Sequence, residues 1–122
     1  MKTLLFVYGT LKRGCSNHHH LAGQTFLALA RTRPGFRLYD FGGYPGIVAN
    51  KDDDVGVVGE VWSVDGAALE RLDRFEGIHE GLYRREHLPL AAPFDGQNVD
   101  AYVSALSPAG RREVGASWEE AN

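Results

Sequence analysis

One carboxylate in this sequence falls where a carboxylate is poorly stabilised. Residues 66–76 are predicted to form a helix that Asp65 caps and Gly77 ends. At about 100° per residue, Glu76 lies beside the apolar stripe that contains Leu72 and Phe75. It also lies in the last turn, where the helix dipole disfavours an anion. Both conditions raise the pKa of a carboxyl group toward neutrality, as proton transfer requires. Glu76 is therefore a candidate general acid and base.

A structural role for this carboxylate is the alternative. Glu76 could pair with Arg84 or Arg85, which are predicted to lie on the next strand. A residue that breaks local rules is more frequent at functional sites but is not confined to them. These rules alone leave both interpretations open.

The turn after the first strand is the second candidate for chemistry. Residues 4–8 show no polar alternation, which predicts a central strand covered on both faces. Gly9 allows the backbone to turn and a ligand to approach it closely. The N–H groups of Gly9, Thr10 and Leu11 are then free of the sheet, and such a set suits a carboxylate, a phosphate or an oxyanion. The alternative is an ordinary connecting turn, since the segment matches neither a phosphate loop nor a dinucleotide fingerprint.

Residues 40–46 form a second loop with more glycine, proline and aromatic content than a simple reversal needs. Its aromatic residues, Phe41 and Tyr44, could form the wall of a pocket. The alternative is a rigid connector in which both side chains are partly buried. The sequence does not decide between the two.

Other reactive residue types are interpreted as passive. Three consecutive histidines, His18 to His20, cannot converge on one ion because neighbouring residues of a helix point about 100° apart, so no metal site is predicted. No motif places a histidine to activate Cys15, which predicts an unreactive thiol. The like charges of residues 51–54 predict a solvated loop.

The remaining pattern predicts an α+β fold. Further strands are expected at residues 26–30, 36–39, 47–49, 55–64, 83–88 and 99–106. A short helix at residues 18–22 is expected to be capped by Ser16 or Asn17. The tail from residue 107 is weakly patterned, with Trp118 as its predicted anchor. These elements suit a small mixed, mostly antiparallel β-barrel or strongly coiled sheet with adjacent helices.

Composition narrows the class of protein. The 122 residues fit one domain, and 43% hydrophobic with 24% charged residues is typical of a globular protein. A net charge of −3 argues against a surface for duplex nucleic acid. The single cysteine excludes an internal disulfide and favours a reducing compartment. The apolar start is too short for a signal peptide or membrane span, so a cytoplasmic protein with no membrane partner is predicted.

Four segments in order resemble one known family. They are VYGTLKRG at residues 7–14, LYDFGGYPGIV at 38–48, GEVWSVD at 59–65, and LDRFEG at 72–77 with Tyr83 and Arg84 downstream. Together they resemble the γ-glutamylcyclotransferase-like family over residues 4–106. The family's loop often carries Ser where this chain has Thr10.

The resemblance implies a small mixed barrel without a cofactor that releases 5-oxoproline from a γ-glutamyl amine or γ-glutamyl amino acid. By motif match, residues Tyr8 to Leu11 bind the substrate and Glu76 is the general acid and base. Tyr44 and Tyr83 complete the predicted binding set. The substrate's own α-amine attacks its γ-carbonyl, so no Ser or Cys nucleophile is needed. The alternative is a binding module that retains such a ligand without cleaving it. The oligomeric state is not predicted.

Overall fold

A computed structural model describes residues 2–120 of the chain. Its strands are β1 (Lys2–Val7), β2 (Thr25–Arg31), β3 (Phe36–Asp40), β4 (Pro45–Ala49), β5 (Val58–Asp65), β6 (Tyr83–His87), β7 (Asp100–Ser104) and β8 (Arg112–Gly115). The helix α1 spans Gly66–Phe75, and a 3₁₀ helix spans His18–Leu21. Within residues 2–120, neither helix has the length and apolar composition needed to cross a bilayer.

The strands form one mixed sheet that curls into a half-barrel, with α1 beside it. The strand order is β2-β5-β1-β7-β4-β3-β8, and β6 pairs with β7. Strand β1 is central, antiparallel to β5 and parallel to β7. The pairing of β4 with β7 is also parallel, whereas the other strand pairs are antiparallel. The predicted α+β class and the mixed, mostly antiparallel sheet are therefore confirmed.

Strand β1 contributes to two hydrophobic cores, one on each face of the sheet. Phe6 packs into the core that contains Leu38 and Ile47. Its neighbours Leu5 and Val7 pack into the core beneath α1. Successive side chains of a strand point to opposite faces, so a strand buried on both faces needs an uninterrupted apolar run. The prediction of a central, doubly covered first strand is confirmed.

The ends of α1 agree with the local signals. The carboxylate of Asp65 accepts a hydrogen bond of 2.8 Å from the backbone N–H of Ala68. Gly77 follows the helix with a φ of 70°, the left-handed conformation that glycine adopts without strain. The helix ends at Phe75 and Glu76 is its C-cap residue. The short helix differs, because Asn17 precedes it without a side-chain capping bond.

Several strands differ from the prediction, and β4 begins at Pro45 rather than at residue 47. The strand expected at residues 55–64 begins only at Val58, because Gly56 has a φ of 87° and lies against the backbone of Thr32. Strand β8 lies in the segment predicted to be weakly patterned, and it pairs with β3. The burial of Trp118 beside Val57 and Leu90 confirms this tryptophan as the anchor of the tail.

The interpretation of residues 51–54 as a fully solvated loop is wrong for Asp53, which is buried. Its carboxylate accepts hydrogen bonds from the backbone N–H groups of Gly35 at 2.9 Å and Gly56 at 2.7 Å. It also pairs with Arg37 Nε at 2.6 Å. Burial raises the pKa of Asp53, but these hydrogen bonds outweigh burial and hold the pKa far below its usual range. Asp53 therefore ties two turns to β3.

We expect Asp53→Asn to destabilise the fold at pH 7 by about 2–4 kcal/mol, because an amide cannot replace a charged acceptor of several donors. Asp52→Asn and Asp54→Asn are matched controls, since both side chains are exposed, and should change stability by less than about 0.5 kcal/mol. The pKa of Asp53 is lowered on folding, so its contribution is present above about pH 4 and is lost in acid. Denaturant unfolding of the three variants at pH 7 and pH 3 measures both effects. Equal stability of the three variants at pH 7 would contradict the role of Asp53.

Candidate active site

A cavity of about 270 Å³ lies between the end of β1 and the C-terminus of α1. The structure brings every sequence-predicted site residue to its wall: Tyr8, Gly9, Thr10, Leu11, Tyr44, Glu76 and Tyr83. These residues come from four separate segments of the chain. Their chemical roles remain predictions.

The loop after β1 presents uncommitted donors. Lys12 N–H donates to the carbonyl of Gly9 at 3.1 Å, and Asn17 N–H donates to the carbonyl of Thr10 at 2.9 Å, so the loop folds back on itself. Within residues 2–120, the N–H groups of Gly9, Thr10 and Leu11 donate no hydrogen bond. They therefore remain available to an anion or a carbonyl oxygen in the cavity.

Gly9 is required for a reason that the sequence pattern did not indicate. Its φ is not positive, so the backbone conformation is open to other residues. A Cβ at Gly9, however, would lie 2.4 Å from Cγ of Pro45. The absence of a side chain lets the 44–46 segment pack directly on the loop. Gly9 and Pro45 both line the cavity.

Two tyrosine hydroxyls form hydrogen bonds with the backbone of residues 45–47. The Tyr8 hydroxyl accepts a hydrogen bond from Ile47 N–H at 3.2 Å and donates to the carbonyl of Tyr102. The Tyr83 hydroxyl donates to the carbonyl of Pro45. Burial raises the pKa of both phenols, so both hydroxyls stay protonated at neutral pH. Tyr8 and Tyr83 thus shape the cavity wall with hydroxyls that are already bonded to the backbone.

Glu76 is the half-buried C-cap residue of α1, and its N–H donates to Leu72 at 2.8 Å. In the described part of the chain, its side chain has no hydrogen-bond or ion-pair partner. Burial raises the pKa of Glu76 to about 7. Nearly equal populations of acid and conjugate base near pH 7 suit a group that both accepts and returns a proton.

The structural alternative for Glu76 is wrong. Arg84 pairs with Glu86 on its own strand at 2.8 Å. Arg85 pairs with Asp73 at 2.9 Å and with Asp100 at 2.6 Å. Both arginines therefore find other carboxylates.

The segment of residues 40–46, of which only residues 41–44 lie between β3 and β4, combines the two interpretations left open by the sequence. Tyr44 lines the cavity, with its ring centroid 6.4 Å from that of Tyr83. Phe41 is buried and fills the space above Gly46, where a Cβ would lie 2.6 Å from its ring. One aromatic residue forms the pocket wall and the other stiffens the connector.

Sequence reasoning missed several residues of the wall: Phe6, Val7, Asn17, Pro45, Phe75, Leu82 and Tyr102. Phe75 belongs to the predicted apolar stripe of α1, but 40% of it is exposed, so this part of the stripe does not face the core. Its ring centroid lies 4.1 Å from that of His20. Tyr102 carries no local signal, because its place depends on the pairing of β7 with β1.

The three consecutive histidines have separate environments. His18 Nδ1 lies 3.0 Å from the carbonyl of Leu11, whereas His20 packs on Phe75. Across residues 2–120, no group of three His, Cys, Asp or Glu side chains is placed to hold a metal ion. Burial and the nearby Glu120 raise the pKa of the Cys15 thiol, which does not favour a thiolate.

A family model described as "Gamma-glutamyl cyclotransferase, AIG2-like" matches residues 5–120. The chain belongs to this family. A Vibrio cholerae protein named "Putative gamma-glutamylcyclotransferase" is 43% identical over 94 residues, which cover 77% of this chain and 76% of that protein. Gamma-glutamylaminecyclotransferase A of Danio rerio is 34% identical over 119 residues, covering 84% of this chain and 68% of the relative.

The solved structure of an AIG2-like protein from Mus musculus has the same fold. The TM-score is 0.73 at 30% identity, and the alignment covers 88% of this chain and 81% of the mouse chain. The resemblance inferred from the four sequence segments is confirmed. Family membership also confirms the prediction of an enzyme of the cyclotransferase type.

We expect Gly9→Ala to destabilise the protein by about 1–3 kcal/mol, because the new methyl group must displace the ring of Pro45. Gly66→Ala is the matched control, since Gly66 has open space at its Cβ position and no positive φ. Thermal unfolding of both variants measures the difference. Equal stability of the two variants would show that the 44–46 segment does not depend on its contact with Gly9.

Proposed function

We propose that this protein releases 5-oxoproline from a small γ-glutamyl amine or γ-glutamyl amino acid, with Glu76 as general acid and base. The observation that carries this proposal is the geometry of one cavity. A half-buried, unpaired carboxylate with a pKa near 7 shares that cavity with three uncommitted backbone N–H groups. Family membership supplies the reaction type, and the cavity supplies groups suited to it.

The reaction needs a proton carrier and a folded substrate. The α-amine of the substrate attacks its own γ-carbonyl, so a new C–N bond closes the five-membered ring. The original amide C–N bond then breaks and the amine leaves. In this scheme Glu76 takes a proton from the α-ammonium before or during attack and returns one to the leaving amine. Because both reacting groups belong to one molecule, the enzyme's task is to hold them together.

The loop after β1 supplies donors for the negative charge of the substrate. Attack on the carbonyl places negative charge on its oxygen, and the glutamyl moiety also carries an α-carboxylate. The N–H groups of Gly9, Thr10 and Leu11 are suited to receive one of these groups. Backbone donors do this without a particular side chain at the middle position, so Thr10 is compatible with the role.

The relatives support a γ-glutamyl substrate. The zebrafish relative is named for γ-glutamylamines, and its alignment spans most of this chain. We extend that substrate class to this protein as part of the proposal. Incubation with a panel of γ-glutamyl amino acids, γ-glutamyl-lysine isopeptide and glutathione, with 5-oxoproline as the readout, tests it directly. No product from the panel, together with tight calorimetric binding of an intact member, would favour the binding module instead.

We expect Glu76→Gln to lower turnover by roughly 100- to 10,000-fold, because an amide cannot accept the proton of the substrate ammonium. Substrate binding should survive, since the amide keeps the shape of the side chain. Glu70→Gln, an exposed carboxylate on the same helix, is the matched control and should keep parental turnover. The measurement is 5-oxoproline release per folded enzyme, with circular dichroism as the control for folding. A Gln variant with near-normal specific activity would refute the catalytic assignment.

We expect kcat/KM to rise with pH through an apparent pKa near 7, because the base form of Glu76 starts the reaction. This limb should be absent from the residual activity of Glu76→Gln. A pH profile from 5 to 9 with both proteins checks it. A parental profile that is flat across this range would show that another group sets the proton transfer.

Replacement of Glu76 should raise the stability of the fold although it lowers turnover. Folding raises the pKa of Glu76 from about 4.5 to about 7, so the folded state binds more protons between these values and loses stability as pH rises through them. Relative to the parent, Glu76→Gln should therefore gain up to about 3 kcal/mol at pH 8 and nothing at pH 4. Thermal midpoints at the two pH values measure this. A variant that is destabilised at pH 8 would contradict burial of an unpaired anion.

A further inference from the structure

Asp73 lies in the last turn of α1, three residues before Glu76, and forms bonds that the proposed chemistry does not use. The Tyr102 hydroxyl on β7 donates to Asp73 Oδ1 at 2.7 Å. Arg85 on β6 donates to the same carboxylate, from Nε at 2.9 Å and from Nη2 at 3.3 Å. One carboxylate therefore ties the end of α1 to two strands.

Arg85 is itself held from a second side. Its Nη1 donates to Asp100 Oδ2 at 2.6 Å, and Asp100 lies on β7 two residues before Tyr102. The contacts thus lead from β7 through β6 to α1 and back to β7. A planar guanidinium between two carboxylates presents its donors in a fixed geometry. Asp73 is held in the orientation that receives the Tyr102 hydroxyl.

Tyr102 is buried and lines the cavity together with Glu76. Its backbone carbonyl accepts the Tyr8 hydroxyl, so this residue contacts the end of β1 as well as α1. Burial, the hydrogen bond to Asp73, and the charges of Asp73 and Glu76 raise the pKa of Tyr102, so the phenol keeps its proton. An ionised carboxylate only accepts hydrogen bonds. The proton of Tyr102 is therefore directed to Asp73.

Five further titratable side chains line the cavity or lie beside a neighbour of Glu76. They are Tyr8 on β1, His20 on the 3₁₀ helix, Tyr44 before β4, Glu80 after Gly77, and Tyr83 on β6. The hydroxyls of Tyr8 and Tyr83 donate to backbone carbonyls, and burial raises the pKa of both phenols. Burial also lowers the pKa of His20. These three groups therefore do not titrate near pH 7, where Glu76 does.

We infer that Asp73 is a positioning residue for Glu76, because it fixes the last turn of α1 and directs the Tyr102 O–H away from Glu76. This inference rests on the proposed function and adds a residue that acts through others. Without Asp73, the Tyr102 hydroxyl loses its acceptor, and Glu76 is an anion in the same cavity. A hydrogen bond from Tyr102 would stabilise the Glu76 carboxylate and weaken it as a base.

Two substitutions separate the charge of Asp73 from its bond to Tyr102. Asp73→Asn removes the charge but keeps an oxygen that can accept the hydroxyl, whereas Asp73→Ala removes both. We expect Asp73→Ala to move the rising limb of kcat/KM to lower pH by about one pH unit. Its kcat should fall by about tenfold or more, with KM changed by less than about threefold. The limb of Asp73→Asn should stay within about half a pH unit of the parent. The readout is 5-oxoproline release from the panel member that the parent cleaves fastest.

A second substitution tests whether the Tyr102 hydroxyl causes the shift. Tyr102→Phe, added to Asp73→Ala, removes that hydroxyl and should return the limb to its position in Asp73→Asn. Asp100→Asn is the matched control, since it removes a bond of Arg85 but leaves the bond between Tyr102 and Asp73. This control should keep the parental limb whatever its thermal midpoint.

The outcomes separate this inference from the proposed function. Equal shifts in Asp73→Ala and Asp73→Asn, or a limb that Tyr102→Phe does not restore, would overturn the positioning role and leave the proposed function standing. Carboxyl ¹³C titration of Glu76, assigned by its loss in Glu76→Gln, reports the same pKa values without turnover. If the parent releases no 5-oxoproline from the panel, the proposed function fails, and this titration decides on Asp73 by itself. A Glu76 pKa that is equal in the parent and in Asp73→Ala would overturn the inference in either case.

Discussion

The attachment of Pro45 to the end of β1 is the constraint on which the cavity depends. Three contacts produce it: Gly9 leaves space for the proline ring, Tyr83 bonds its carbonyl, and Tyr8 bonds the N–H of Ile47. Each contact joins elements that are distant in sequence. Together they fix the loop after β1 opposite the end of α1. The free N–H groups and the carboxylate therefore face one space rather than two.

Local rules were sufficient to place Glu76. Asp65 caps α1 and Gly77 ends it, so the register of the helix is set by residues adjacent to it in sequence. Once the ends are known, the periodicity of a helix assigns each side chain to a face. The apolar run of β1 is equally local, since a strand covered on both faces must be apolar throughout. These are the parts of the fold and site that a single sequence can specify.

Other features depend on partners that the local sequence does not show. Asp53 lies in a run of like charges, and its donors come from the turn at Gly35 and from Gly56. Its burial can be recognised only in the folded structure, where those segments lie together. Leu72 and Phe75 lie three residues apart on α1 and both are apolar. Leu72 is nevertheless fully buried, whereas Phe75 is partly exposed and lines the cavity. The difference is set by what faces the helix, and periodicity contains no information on that.

The reactivity of Glu76 and the apolar character of the cavity have one physical origin. The pKa of this carboxyl is raised because burial removes water and no described cation replaces it. A lysine or arginine in the cavity would stabilise the anion and lower the pKa, which would weaken the group as a base near neutrality. A wall without described cations is therefore the feature that suits this carboxylate to proton transfer near pH 7.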